Sequence, residues 1–222
     1  MNKNSNTYIF IYAAVMVIIV AFFMALVSSS LKSIQNENVA NDKRKQILAA
    51  LNISSSDPKA DFETYQVKDV LVDAQGNQVA DNGGFDASLD GDVLPVYIAN
   101  VNGETQYVLP MTGQGLWGSI WGYVGLKADK KTIVGVYFGH TSETPGLGAE
   151  IASTKFTAQF AGRPVINDNG NIISVVKHGN ADKTNQQGGN AVDGVTASTL
   201  TSNGVHNMLE KYVGMYKNFL NQ

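Results

Sequence analysis

Between Thr196 and Ser202, five of seven residues carry hydroxyls: Thr196, Ser198, Thr199, Thr201 and Ser202. They stand directly ahead of a segment with helical periodicity. A Ser or Thr in that position caps a helix, because its side-chain oxygen accepts a bond from an otherwise unpaired first-turn amide. Capping accounts for one or two of the five, and Thr201 or Ser202 is the expected cap. The others sit where a helix start offers free amides and the positive end of its dipole, the usual setting for a phosphate. The chemistry would be anion binding, with Thr196 and Ser198 placed to bond phosphate oxygens. Neither G-x-G-x-x-G nor a Walker-type G-x-x-x-x-G-K accompanies it, so by spacing alone capping and anion binding both stay open.

Two further stretches are rich in residues that shape sites. In "GHTSETPGLGAE", Gly139 to Glu150, Pro145 fixes one backbone angle, while Gly146 and Gly148 permit tight turns and leave room for a ligand beside the backbone. The same spacing serves a plain strand-to-helix turn with Glu143 in solvent. In "GQGLWGSIWGYVGL", Gly113 to Leu126, Trp117 and Trp121 lie four apart among glycines. Indoles so placed either floor a pocket for a flat ring or fill the core, and the core is the expected place for at least one. His140, His178 and His206 are isolated and lack metal-ligand spacing, and no Ser-His-Asp order is evident. Neither a metal site nor a set of catalytic residues is expected.

The elements that would position these residues are readable in outline. Short β-branched or aromatic runs at 93–101, 106–111, 119–128 and 132–140 are separated by turns too short for parallel crossovers, which predicts an antiparallel twisted sheet. A strand is expected at 65–72 within a loop-rich region at 52–92, and another at 172–177. Segment 148–162 reads as a helix ended by Gly162. Leu200 to Leu220 carries Val205, Leu209, Tyr212, Val213, Tyr216 and Leu220 at spacings of three and four, the pattern of an amphipathic helix. The fold class is α+β: an N-terminal transmembrane helix followed by a mostly antiparallel twisted sheet with packed helices. The expected divisions are an anchor at 1–30, an amphipathic helix (Asn38 to Leu51, a spacer) with loop-rich connection at 31–92, and a site-bearing domain at 93–222.

Composition bounds the function. The 222 residues carry a formal charge of −3 and are 44% hydrophobic, enough for one sizeable core, and the lack of any electropositive footprint argues against nucleic acid as a partner. Cysteine is absent, which excludes thiol catalysis, thiolate metal sites and cysteine-held clusters from this chain. Tyr8 to Val27 is uncharged and apolar over about the twenty residues a helix needs to cross a bilayer. It is longer than the apolar core of a usual signal peptide and is followed by a poor cleavage site, so an uncleaved anchor in membrane lipid is expected. Lys3 alone precedes the span, while Lys32, Lys43, Arg44 and Lys45 follow it. That count leans weakly against a cytoplasmic N-terminus.

Taken together, "GLWGSIWGYVGL", "HTSETPGLGAEI" at 140–151 and "DGVTASTLTSNGV" at 193–205 resemble the FMN-binding domain found in the C subunit of the sodium-translocating NADH:quinone reductase (Nqr), and in the G subunit of the related Rnf complexes. The resemblance covers the whole chain and is densest from 113 to 213. "TLTSNGV" favours the sodium pump; an Rnf subunit or a stand-alone membrane flavoprotein is the alternative. In both families FMN is joined through its phosphate to a threonine by a separate flavin transferase. The attachment signature, laid on this chain, runs Asp193, Gly194, Val195, Thr196, Ala197, Ser198 and Thr199, which makes Thr199 the expected acceptor. Ala197 stands where Gly is usual and Ser198 where Ala is usual, so Ser198 is a second possible acceptor. If the Gly position needs a positive φ, Ala197 carries about 1 kcal/mol of strain. The resemblance also implies FMN contacts from Trp117, Glu143, Thr144, Leu147, Gly148 and Asp193, and from the backbone of Thr196 to Thr201, Ala197 and Leu200 included. It implies single-electron relay between partner subunits of an inner-membrane complex, with the large domain on the periplasmic side.

Overall fold

The computed structural model describes residues 5–222, so Lys3, counted in the charge balance, lies outside the described residues. The chain divides after Lys43 into two compact units. Helix α1 runs over Asn6–Ala50 as one element. The expected separate spacer helix from Asn38 is therefore corrected: residues 28–37 contain neither Gly nor Pro, and nothing polar there competes hard enough to stop the helix. In the first unit, an 18-residue window of α1 has mean hydropathy 2.9 with none of it buried, the signature of a span by length and composition.

The second unit begins with the end of α1, and that end is core rather than spacer: Ile47, Leu48 and Ala50 are fully buried. The helix stops at Asn52, whose φ of 59° lets its own amide reach the carbonyl of Ala49 while Ile53 N–H reaches Leu48. That paired closure is the Schellman arrangement, with Asn as the left-handed residue. Next come α2 (Pro58–Thr64), capped by the Asp57 side chain, β1 (Lys68–Val72) and β2 (Gln78–Ala80). The region expected to be mostly loop thus holds a helix and two strands. Strands β3 (Leu94–Val101), β4 (Glu104–Gln114), β5 (Ser119–Leu126) and β6 (Ile133–His140) complete an antiparallel sheet in the order β2-β1-β3-β4-β5-β6.

Both faces of this sheet are covered, so β4 is buried at four successive residues, Val108 to Met111. On one face Val108 joins Tyr97, Tyr123 and the Ile47–Leu51 turn; on the other Leu109 and Met111 join the body of the core. Gly125 and Gly135 make the first contact possible: a Cβ on Gly125 would strike the carbonyl of Ala50, and one on Gly135 would lie 3.0 Å from it.

After β6 the expected helix at 148–162 is replaced by a 3-10 turn over Gly148–Ala152 and a single helical turn α3 (Thr154–Thr157). Ser153 breaks the run with an extended backbone, and its hydroxyl oxygen caps α3 by accepting from the Phe156 amide. Strand β7 shrinks to Ser174–Val176, α4 (Ala181–Gln186) follows, and β8 (Ala191–Asp193) pairs with β7 in parallel. Helix α5 (Thr199–Leu220) closes the chain and lays Val205, Leu209, Tyr212, Val213, Tyr216 and Leu220 on the core, as its periodicity predicts.

Candidate functional site

Strand β8 delivers the hydroxyl segment to the head of α5. Gly194 is needed because a Cβ there would press on the Val176 carbonyl at 2.9 Å and on Ser202 at 3.0 Å. The Val195 amide donates to Ser202 Oγ at 3.0 Å, the Ser198 amide to the Val195 carbonyl, and the Ser202 amide to the Ser198 carbonyl. Within this knot Ala197 takes a φ of 58°, the left-handed conformation that costs an L-residue about 1–2 kcal/mol. The position where Gly is usual in the signature does need a positive φ, and here Ala meets the need.

The expectation that Thr201 or Ser202 caps α5 is corrected. Ser198 is the N-cap and its side chain makes no capping bond. Thr201 and Ser202 lie in the first turn with their hydroxyls committed elsewhere, Ser202 to Val195 and Thr201 to Glu143. Among the described residues, the amides of Thr199, Leu200 and Thr201 have no acceptor. Thr199 is exposed, whereas Ser198 is 8% exposed. The helix therefore starts on an open hydroxyl beside free amides.

Opposite stand two loops strapped to each other. Gly115 N–H to Gly118 C=O closes the tip of the β4–β5 hairpin, with Leu116 and Trp117 at the turn. After β6, the Thr141 hydroxyl donates to the Ser119 carbonyl and the Ser142 hydroxyl to the Trp117 carbonyl. Glu143 then turns inward to 4% exposure. One carboxylate oxygen accepts from the Trp117 amide at 2.8 Å and the other from Thr201 Oγ1 at 2.6 Å. Burial pushes this carboxyl up, but the Thr201 hydroxyl and the amides of Trp117, Gly118 and Leu116 outweigh it and hold the group below its ordinary value. The reading of Glu143 as a solvated turn residue is thereby overturned.

These segments wall a cleft of about 440 Å³ lined by Leu116, Trp117, Glu143, Thr144, Leu147, Gly148 and the run from Ala197 to Thr201. All of the expected contact residues meet there except Thr196 and Asp193. Its rim is apolar and open, with Leu116, Trp117, Leu147 and Leu200 between 41% and 65% exposed. Such size and such a mix of apolar walls with a few polar groups suit a small cofactor. Trp121 is elsewhere: its ring lies under Gly139 and its Nε1–H donates to Gln46 Oε1 at 2.9 Å.

Thr196 faces two adjoining clefts, one of about 230 Å³ with Lys177, His178, Thr199 and Asn203, the other of about 420 Å³ with Glu150, Phe156, His178 and Asp193. Asp193 does not enter the main cleft. Its Oδ1 accepts from the amides of Gly179, Asn180 and Ala181 at 2.8 to 3.1 Å, tying the start of α4 beside the hydroxyl loop. Sequence reasoning missed Leu116, which lay inside a quoted motif, and Lys177 and His178, which no spacing connects to the hydroxyls. No group of three or more potential metal-ligating side chains occurs among the described residues.

Comparison with known proteins gives one consistent picture. Residues 115–214 match the family described as "FMN-binding domain". The C subunit of the Na(+)-translocating NADH-quinone reductase from Pseudomonas aeruginosa is 30% identical, with 96% of this chain and 93% of that protein aligned. The protein of the same name from Haemophilus ducreyi is 29% identical over 96% of this chain and 91% of its own length. Among solved structures, the C subunit from Parabacteroides distasonis superposes with a TM-score of 0.78 at 35% identity, covering 86% of this chain and 98% of that one.

Proposed function

Since the chain belongs to the C-subunit family of the Na(+)-translocating NADH-quinone reductase, an oxidoreductase complex of several subunits, we propose that it is the flavin carrier of such a pump. FMN is joined through its phosphate to Thr199 and supplies single-electron transfer between partner subunits. The observation that carries this reading is the exposed Thr199 hydroxyl at the first turn of α5, opening on a cleft that also holds nearly every residue expected to touch the flavin. Esterification is a condensation: the Thr199 oxygen gains a bond to phosphorus, and the net change is one FMN added and one water lost.

The residues fit the group. The free amides of Thr199 to Thr201 and the helix dipole suit the phosphodiester charge. Trp117, Leu147 and Leu200 offer apolar surface to a flat ring, and Gly148 leaves room for the Glu143 carboxylate in the wall behind them. Several saturated carbons would separate the linkage from the ring, so Thr199 holds the flavin while groups around the ring set its potential. Thr199 is the acceptor in preference to Ser198, which is buried at the N-cap. A separate flavin transferase installs the group, residues 8–27 lie in the inner membrane, and the large domain faces the periplasm.

The test is mass spectrometry of the full chain co-expressed with a flavin transferase. The peptide from Asp193 to Lys211 should be heavier by one FMN less one water, and Thr199→Leu should abolish the increment. An unmodified peptide from the native sequence would sink the proposal; an increment that survives Thr199→Leu would move the attachment elsewhere.

A further inference from the structure

The carboxylate of Glu143 joins three walls of the cleft that are far apart in sequence. It is itself in the loop after β6, it binds the Trp117 amide at the β4–β5 tip, and it accepts from Thr201 in the first turn of α5. Two glycines clear its way. A Cβ on Gly115 would sit 2.5 Å from one carboxylate oxygen, and a Cβ on Gly148 would strike the other and lie 2.7 Å from Thr201 Oγ1. Its neighbours are all neutral donors: a hydroxyl and main-chain amides. Among the described residues it has no cationic partner, although a buried carboxylate ordinarily finds one.

For shaping alone, a neutral Gln would serve. Its carbonyl oxygen can accept from the Trp117 amide and its NH₂ can donate to Thr201 Oγ1, on the same skeleton. What Gln lacks is the charge. An uncompensated negative charge on a buried side chain in the cleft wall opposes any gain of negative charge inside the cleft.

We propose that Glu143 is a positioning residue with a second, electrostatic role: it ties the Trp117 tip to α5, and its unpaired charge holds down the reduction potential of the flavin in the cleft. This rests on the flavin lying there, as proposed above.

Three forms of the full chain decide it: native, Glu143→Gln and Glu143→Ala. Without flavin, hydrogen exchange at the Trp117 amide reads the tie. Protection should persist in the Gln form and fall at least tenfold in the Ala form; unchanged exchange in Ala overturns the tie. With flavin attached, redox titration reads the charge. The midpoint potential should rise in Glu143→Gln relative to native, and equal potentials overturn the electrostatic role. Peptide mapping of the same samples separates this failure from that of the functional reading. Flavin on Thr199 with equal potentials overturns only the charge role, whereas flavin elsewhere overturns the reading and the charge role with it.

Discussion

Ala197 is where the hydroxyl loop departs from its easiest chemistry. Its φ of 58° is imposed by the turn from Val195 to Ser198 and by the start of α5, not by anything the alanine side chain gains. Ala197→Gly should therefore relieve strain, offset partly by glycine's greater freedom when unfolded, for a net gain of up to about 1 kcal/mol. Ala197→Val, β-branched in a left-handed conformation, should lose about 1–3 kcal/mol. Urea denaturation of the two variants checks both signs. Glu143 gives a pH prediction. Its carboxyl is lowered in the folded protein, so its stabilisation is fully present above the unfolded carboxylate value of about 4.3 and fades as pH falls through the folded value. The stability gap between native and Glu143→Gln should be constant near neutrality and close in acid; a gap that widens in acid would contradict the assignment.

The elements were legible where periodicity speaks and illegible where tertiary contact decides. Helix α5 and strands β3 to β6 follow from spacing because their buried residues repeat at three-four or cluster in β-branched runs. The cleft was legible in its parts, since the quoted motifs contain all of its lining, but Glu143 was not: nothing local distinguishes a solvated Glu in a Pro-Gly turn from one reaching an amide 26 residues away. Nor could the role of Ile47 to Leu51 be read, because five apolar residues at a helix end look alike on a surface and in a core. Their burial depends on glycines in distant strands. Gly125→Ala should accordingly destabilise the sheet by about 1–3 kcal/mol, since the Ala50 carbonyl that a Cβ would strike is backbone and cannot rotate away. Thermal unfolding measures it, and Gly103→Ala is no substitute control because its φ of 86° brings strain of its own. Gly91→Ala, with nothing nearer than 3.6 Å to its Cβ, is the fitting comparison.

At the scale of the molecule, anchoring and folding part company within a single helix. Cutting the chain after Ser30 removes the apolar span yet keeps Ile47, Leu48, Ala50 and Leu51. That form should leave the membrane fraction and keep the thermal midpoint of the remaining unit. Cutting after Asn52 should lower the midpoint sharply, because Tyr97, Val108 and Tyr123 lose the side chains that cover them. A fractionation paired with calorimetry distinguishes the two. Asp193 carries a last consequence. The carboxylate that begins the attachment signature is occupied by three amides from Gly179 to Ala181, and the alanine within the signature is bent by the turn around it. In the folded chain the seven residues from Asp193 to Thr199 thus hold one fixed shape. If Thr199 carries the flavin as proposed and its transferase depends on that shape, nascent or misfolded copies would be passed over, and the colour of the mature protein would double as a certificate that the chain had folded.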